Sequence, residues 1–142
     1  MFSKIVVGTD GSDTAANAVS LAAELARMTG AELHLVAAFR PPVVVAGGGI
    51  SGGNPPVSEG FSKLAAEHML EEVAAGVDGL DVEVHARSGT PAPVIVQYAD
   101  EIGADLIVVG SKGMQGTRRV IGSVPNSVAH TAGCSVLVAK TT

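Results

Sequence analysis

The chain predicts an α/β fold: an open, parallel five-stranded sheet of order 3-2-1-4-5 with helices on both faces. Three observations lead there. Short β-branched runs alternate with helically spaced apolar segments from end to end. The composition is 46% hydrophobic but only 3% aromatic, with no Trp, so the core must be built from Val, Ile, Leu and Ala. Such side chains usually fill a parallel sheet covered by helices. Finally, 142 residues without an internal repeat suit a single domain over 1–142.

Each element follows from its own residues. Lys4–Thr9 is a short β-branched strand, and Asp10-Gly11-Ser12 turns the chain. Ala15, Ala18, Val19, Ala22, Leu25 and Ala26 recur at helical spacing until Gly30, a C-terminal cap. Glu32–Phe39 is the second strand. Residues 40–56 then form a flexible Gly/Pro-rich loop. Within it, Gly47–Gly52 matches G-x-G-x-x-G in letters, but it opens no helix and reads as linker.

Helical spacing resumes at Phe61, Leu64, Ala65, Met69 and Val73. Asp81–Arg87 alternates polar with apolar residues, which marks a strand wet on one face and hence an edge. Thr90 caps a third helix that has Pro91 at its first position and a stripe of Val94, Ile95, Tyr98, Ala99 and Ile102. Leu106–Val109 is the fourth strand, Ser123–Ala132 the fourth helix and Cys134–Ala139 the last strand. With the third strand at an edge and the first and fourth fully buried, the winding reverses between strands 1 and 4. Ligands of such sheets bind outside the carboxyl ends of the strands at that reversal.

The functional signal lies at one of those ends. After Leu106-Ile-Val-Val come Gly110, Gly113, Gly116 and Gly122, which let a backbone approach a ligand closely. Ser123 then opens a helix as its N-cap, and free amides with a positive dipole end favour an anion there. Lys112, Arg118 and Arg119, three of the nine basic residues in a chain of net charge −5, lie in the same stretch. The stretch reads as a phosphate cradle, though without the Gly-Lys-Ser/Thr of a P-loop. Asp10, at the end of the first strand, serves either its Asp-Gly turn or a ribose, base or phosphate-bound cation.

Other function classes are set aside on the same residues. The acidic balance argues against nucleic acid and anionic membrane as partners, and no apolar run approaches the roughly 20 residues needed to span a bilayer. A single Cys134 and a Met1–Gly8 start without a signal-peptide pattern fit a cytoplasmic protein. His34, His68, His85 and His130 have no metal-ligand spacing and read as structural, so no metal site and no catalytic residue is expected.

The chain resembles the universal stress protein family, and in particular its ATP-binding branch. The resemblance is carried by Ile5-Val-Val-Gly-Thr-Asp-Gly-Ser, Leu33-His-Leu-Val and Gly89-Thr-Pro. It continues through Ala104-Asp-Leu-Ile-Val-Val-Gly-Ser-Lys-Gly, Gly122-Ser-Val-Pro-Asn-Ser-Val-Ala-His and Cys134-Ser-Val-Leu-Val. The resemblance implies a Rossmann-like, adenine nucleotide alpha-hydrolase-like fold that binds ATP with Mg²⁺ or Mn²⁺. It further implies a nucleotide-dependent stress-response module with little or no hydrolysis; a slow ATPase or phosphotransferase, a cyclic AMP binder and a nucleotide-independent dimer are the alternatives.

Carried over, Gly110 and Gly113 with Gly122 and Ser123 hold the phosphates, beside Lys112, Arg118, Arg119 and Val124. Thr9 and Asp10 meet the ribose or adenine, and the main chain of Val36 reads the adenine edge. Residues Met114–Ile121 make the spacer before Gly122 one residue shorter than the family's nine. The family also dimerises through its last strand. The apolar run Cys134–Ala139 at a sheet edge gives an independent reason to expect a homodimer, alongside an unnamed regulatory partner.

Overall fold

A computed structural model of the chain describes residues 2–40, 62–111 and 122–140. Its elements run β1 (Lys4–Gly8), α1 (Asp13–Thr29), β2 (Glu32–Phe39), α2 (Lys63–Ala75) and β3 (Val82–Ser88). They continue as α3 (Pro91–Ile102), β4 (Leu106–Gly110), α4 (Ser123–Thr131) and β5 (Ser135–Ala139). The sheet has the expected order β3-β2-β1-β4-β5, and each neighbouring pair is parallel.

The period of two along each strand divides the core into two layers. Ile5, Val7, Leu33 and Leu35 face α1 and α2, where Ala18, Ala22, Ala26 and Leu70 cover them. Val6, Val36, Ile107 and Val109 face the other way, against Ile95, Tyr98 and Ala99 of α3 and Val128 of α4. Both faces of β1 are therefore sealed, as a strand at the centre of such a sheet requires. On β3 the apolar Val82, Val84 and Ala86 pack against the first layer, and Glu83, His85 and Arg87 hold the other face.

Helix ends mostly follow their sequence signals, although Thr90 holds the N-cap position of α3 without a side-chain bond to its first turn. Ser12 Oγ accepts a hydrogen bond from the Ala15 amide, and Ser62 Oγ from that of Ala65. Gly30 and Gly103 close α1 and α3 in the left-handed conformation, at φ 74° and 69°. The larger departure is in α4. Gly122, rather than the expected Ser123, occupies the N-cap position, and Ser123 is the first helical residue. A residue without a side chain at that position leaves the helix start uncapped.

At the amino ends of the strands, the Asp105 carboxylate accepts from the backbone amides of Ser3 and Lys4, at 2.9 Å in each case. The Asp105 amide in turn donates to Lys4 O at 3.1 Å. These bonds, led by that from Lys4, hold the Asp105 carboxyl below its ordinary value.

Candidate functional site

At the opposite, carboxyl end of the sheet the strands part around a crevice of about 330 Å³. Its walls include Gly8, Thr9 and Asp10 after β1, Val36 and Ala38 of β2, Gly110 of β4, and Ser123, Val124 and Pro125 of α4. The fold thus brings Thr9, Asp10, Val36, Gly110, Ser123 and Val124 together, with Gly122 capping the helix that supplies the last two. Lys112, Gly113, Arg118 and Arg119 lie outside the described residues, as does the shortened spacer Met114–Ile121. A larger hollow of about 530 Å³ runs beside α1 and α2 on the other layer, away from Gly110 and Ser123.

The start of α4 is the crevice's most distinctive surface. Asn126 donates to Gly122 O at 3.1 Å, which makes it the first amide bonded within the helix. Pro125 has no amide, so Ser123 and Val124 carry the donors that the helix itself leaves unused. With no acidic residue in that first turn, the positive end of the helix dipole is not offset locally.

Across the crevice, Asp10 and Thr9 are ordered by their turn. Ser12 donates its amide to Asp10 Oδ1 at 2.9 Å, and Gly11 donates to Thr9 Oγ1 at 3.1 Å. Gly11 sits at φ 79°, a conformation that favours glycine. The turn role of Asp10 and its position on the crevice wall are therefore compatible. Gly8 also lines the crevice, and a Cβ there would collide with the Ile95 side chain.

The backbone of β2 supplies a feature that motif reasoning passed over. Val36 O already accepts from the Thr9 amide at 3.0 Å, so it faces the β1 side. Phe39 O accepts from Gly89 at 2.9 Å, on the β3 side. By the alternation of a parallel strand, the amide and carbonyl of Ala38 turn toward β1 at a level β1 no longer reaches. The sequence signal for this was the length of Glu32–Phe39 against Lys4–Gly8.

A second polar cluster lies on the same layer, at the β2–β3 edge. The register sets His34 beside Glu83 and Val36 beside His85. His34 Nδ1 is 2.8 Å from the Tyr98 hydroxyl and 3.1 Å from Glu83 Oε2. Burial above all, then the charge of Glu83, pushes the Tyr98 hydroxyl up to about 12, so the phenol is a neutral donor at physiological pH. Arg87 lies 5.0 Å from the Tyr98 ring centre and is paired with Glu101. The linear spacing of the histidines concealed this convergence, which only strand pairing produces.

Known proteins share this fold. The profile of the Universal stress protein family matches residues 1–140. Universal stress protein YxiE of Bacillus subtilis strain 168 is 33% identical over 153 residues, covering 99% of this chain and all (100%) of the relative. A crystal structure of a universal stress protein in complex with cAMP is 30% identical, covers 99% of this chain and 98% of that one, and superposes with a TM-score of 0.70. A universal stress protein from Archaeoglobus fulgidus in complex with dAMP is 27% identical, covers 97% and 98% of the two chains, and has a TM-score of 0.65. With the family profile running from end to end and the β3-β2-β1-β4-β5 sheet in place, the chain belongs to the universal stress protein family.

Proposed function

We propose that the chain is a nucleotide-dependent regulatory module of the cytoplasm that binds ATP at the carboxyl ends of β1 and β4. The observation that carries this reading is the uncapped start of α4, whose Ser123 and Val124 line the same crevice as Asp10, Val36 and Gly110. The phosphates lie on the amides of Gly110, Ser123 and Val124, with Gly113 and the cations Lys112, Arg118 and Arg119 completing the cradle. Thr9 and Asp10 face the ribose, and the adenine edge meets the backbone of Ala38, since Val36 is fully buried with its carbonyl already bonded to Thr9. Mg²⁺ suits such a site, because it is commonly held by one carboxylate together with substrate phosphates, and Asp10 offers that carboxylate.

Hydrolysis is slow in this reading. Among the described lining residues Asp10 is the one titratable side chain, and its Oδ1 already accepts from Ser12. A general base must reach the attacking water. Turnover above about one per second, an ordinary enzyme rate, would favour the ATPase or phosphotransferase alternative instead.

A second reading, a cyclic or monophosphate ligand, is favoured by the complexes of the relatives with cAMP and dAMP. The three loop cations favour the longer phosphate tail. Calorimetry with ATP–Mg²⁺, AMP and cyclic AMP, together with mass spectrometry of nucleotide released on denaturation, separates the two. ATP binding tighter than that of AMP and cyclic AMP supports the first reading. Preference for cyclic AMP establishes the second, and no binding of any nucleotide leaves a nucleotide-independent dimer.

The module is a homodimer joined by antiparallel pairing of two β5 edges. The support is that β5 pairs only with β4 among the described strands and leaves Val136, Leu137 and Val138 half-buried. Exposed apolar edges of this kind invite pairing. Sedimentation giving a monomer at micromolar concentration contradicts it.

A further inference from the structure

We propose that His34, Glu83 and His85 bind one divalent transition-metal ion of the zinc class, on the α3 face of the β2–β3 edge. The inference is independent of nucleotide binding. One donor atom from each of the three side chains lies within 4.8 Å of the other two. Glu83 Oε2 stands between the imidazoles, 3.1 Å from His34 Nδ1 and 3.8 Å from His85 Nε2. Tetrahedral zinc with bonds of about 2.0–2.1 Å sets its ligands roughly 3.3 Å apart, so small side-chain rotations complete the site.

A polar cluster that merely satisfied its own hydrogen bonds would look different. Here Nε2 of His34 and Nε2 of His85 are both buried without a hydrogen-bond partner among the described residues. His34 is fixed most firmly, with its side chain only 4% exposed. Leaving a buried imidazole nitrogen unpaired is costly, and a cation that takes the lone pair of His85 Nε2 relieves that cost. His34 Nδ1 lies 2.8 Å from the Tyr98 hydroxyl; in the tautomer with the proton on Nε2 its lone pair is open to the ion, and the Tyr98 hydroxyl then turns from Nδ1 to the metal's remaining water ligand. That Nε2 points to Glu32 Oε2, 3.8 Å away, the kind of carboxylate that orients a metal-bound histidine from behind.

Charge and access agree with this. Glu32, Glu83 and Glu101 outnumber Arg87, which is engaged by Glu101 at 2.6 Å. Glu83 and His85 are 65% and 37% exposed, so an ion enters from solvent onto the buried His34. Two imidazoles with one carboxylate suit zinc rather than Mg²⁺ or Ca²⁺, which prefer all-oxygen shells. Three protein ligands leave a fourth position for water, within reach of the Tyr98 hydroxyl.

The test uses the full chain carrying Cys134→Ser, which removes the one thiol. Chelator-treated protein is titrated with zinc chloride by calorimetry, with metal content checked by mass spectrometry. His85→Ala and Glu83→Gln alter partly exposed side chains and spare the core. The expected result is one zinc per chain, with affinity at least about tenfold weaker in each variant, and a cobalt-substituted protein showing the visible bands of tetrahedral coordination. Failure to take up zinc overturns the proposal. So does uptake unchanged in both variants, which would assign the metal to a pair such as His68 and Glu72 on α2.

Discussion

Two of the helices that begin beside the crevice, α1 and α4, treat their first turns in opposite ways. In α1, Ser12 Oγ accepts from the Ala15 amide at 3.2 Å, and Asp13 adds a negative charge to the positive end of the dipole. In α4 the N-cap is Gly122, no side chain bonds the first turn, and no acidic residue lies in it. Both helices need the same donors satisfied. One satisfies its own, and the other leaves the amides of Ser123 and Val124 unbonded within the helix. The difference teaches that a missing cap is informative where it coincides with a strand end, a glycine and a crevice.

The sharpest way to break this comparison is Ser123→Pro. Proline is well suited to the first helical position, and Gly122 at φ −62° and ψ 165° already has the extended backbone that a following proline requires. The substitution therefore removes an amide and a hydroxyl from the crevice at little cost to the fold. ATP affinity should fall by about 10- to 100-fold in calorimetry, as expected for lost hydrogen bonds to a charged ligand, with the melting temperature almost unchanged. Retained affinity would place the phosphates elsewhere.

Gly11→Ala perturbs the entry to α1 instead. It forces a side chain onto φ 79° and presses its Cβ to 2.7 Å from Met69 Cγ. We expect a loss of about 1–2 kcal/mol in urea unfolding. Ser12→Ala should cost about 1 kcal/mol, or roughly 3–5 °C in melting temperature, through the lost cap. Nucleotide affinity in Ser12→Ala should stay within about twofold of wild type, because the α1 amides are not offered to the ligand in this reading.

The smallest effect belongs to the far end of the sheet. Asp105 has its pKa lowered by the amides of Lys4 and Ser3, so folding favours its ionised form. Its contribution is fully present above the ordinary value of 3.8 and disappears as pH falls through the lower folded value. Asp105→Asn should therefore lower stability at neutral pH, by about 1 kcal/mol at this solvent-accessible position, and flatten the acid limb of a stability–pH curve. Denaturant titrations between neutral pH and pH 3 or so would show it.

Much of the fold was legible because the relevant signals are local. The alternation Asp81–Arg87 identified β3 as an edge, and Gly30 ended α1 where it was expected to. The crevice was legible for the same reason, since Asp10, Gly110 and Ser123 each terminate or begin an element at one end of the sheet. What escaped depends on pairing between distant segments. Ala38 matters only because β1 stops short of it, and His34 meets Glu83 and His85 only through the β2–β3 register. The N-cap shift from Ser123 to Gly122 turns on a single backbone torsion, a detail that residue preferences do not resolve.

The strand order also has a consequence for synthesis on the ribosome. β1 is made first, yet it lies between β2 and β4. Its β4 side therefore stays bare until Leu106–Gly110 has emerged, about one to four seconds of elongation after β3 is complete at ordinary translation rates. During that interval the nascent chain presents Ile5, Val6 and Val7 on an unmated edge, the segment most in need of a chaperone's cover.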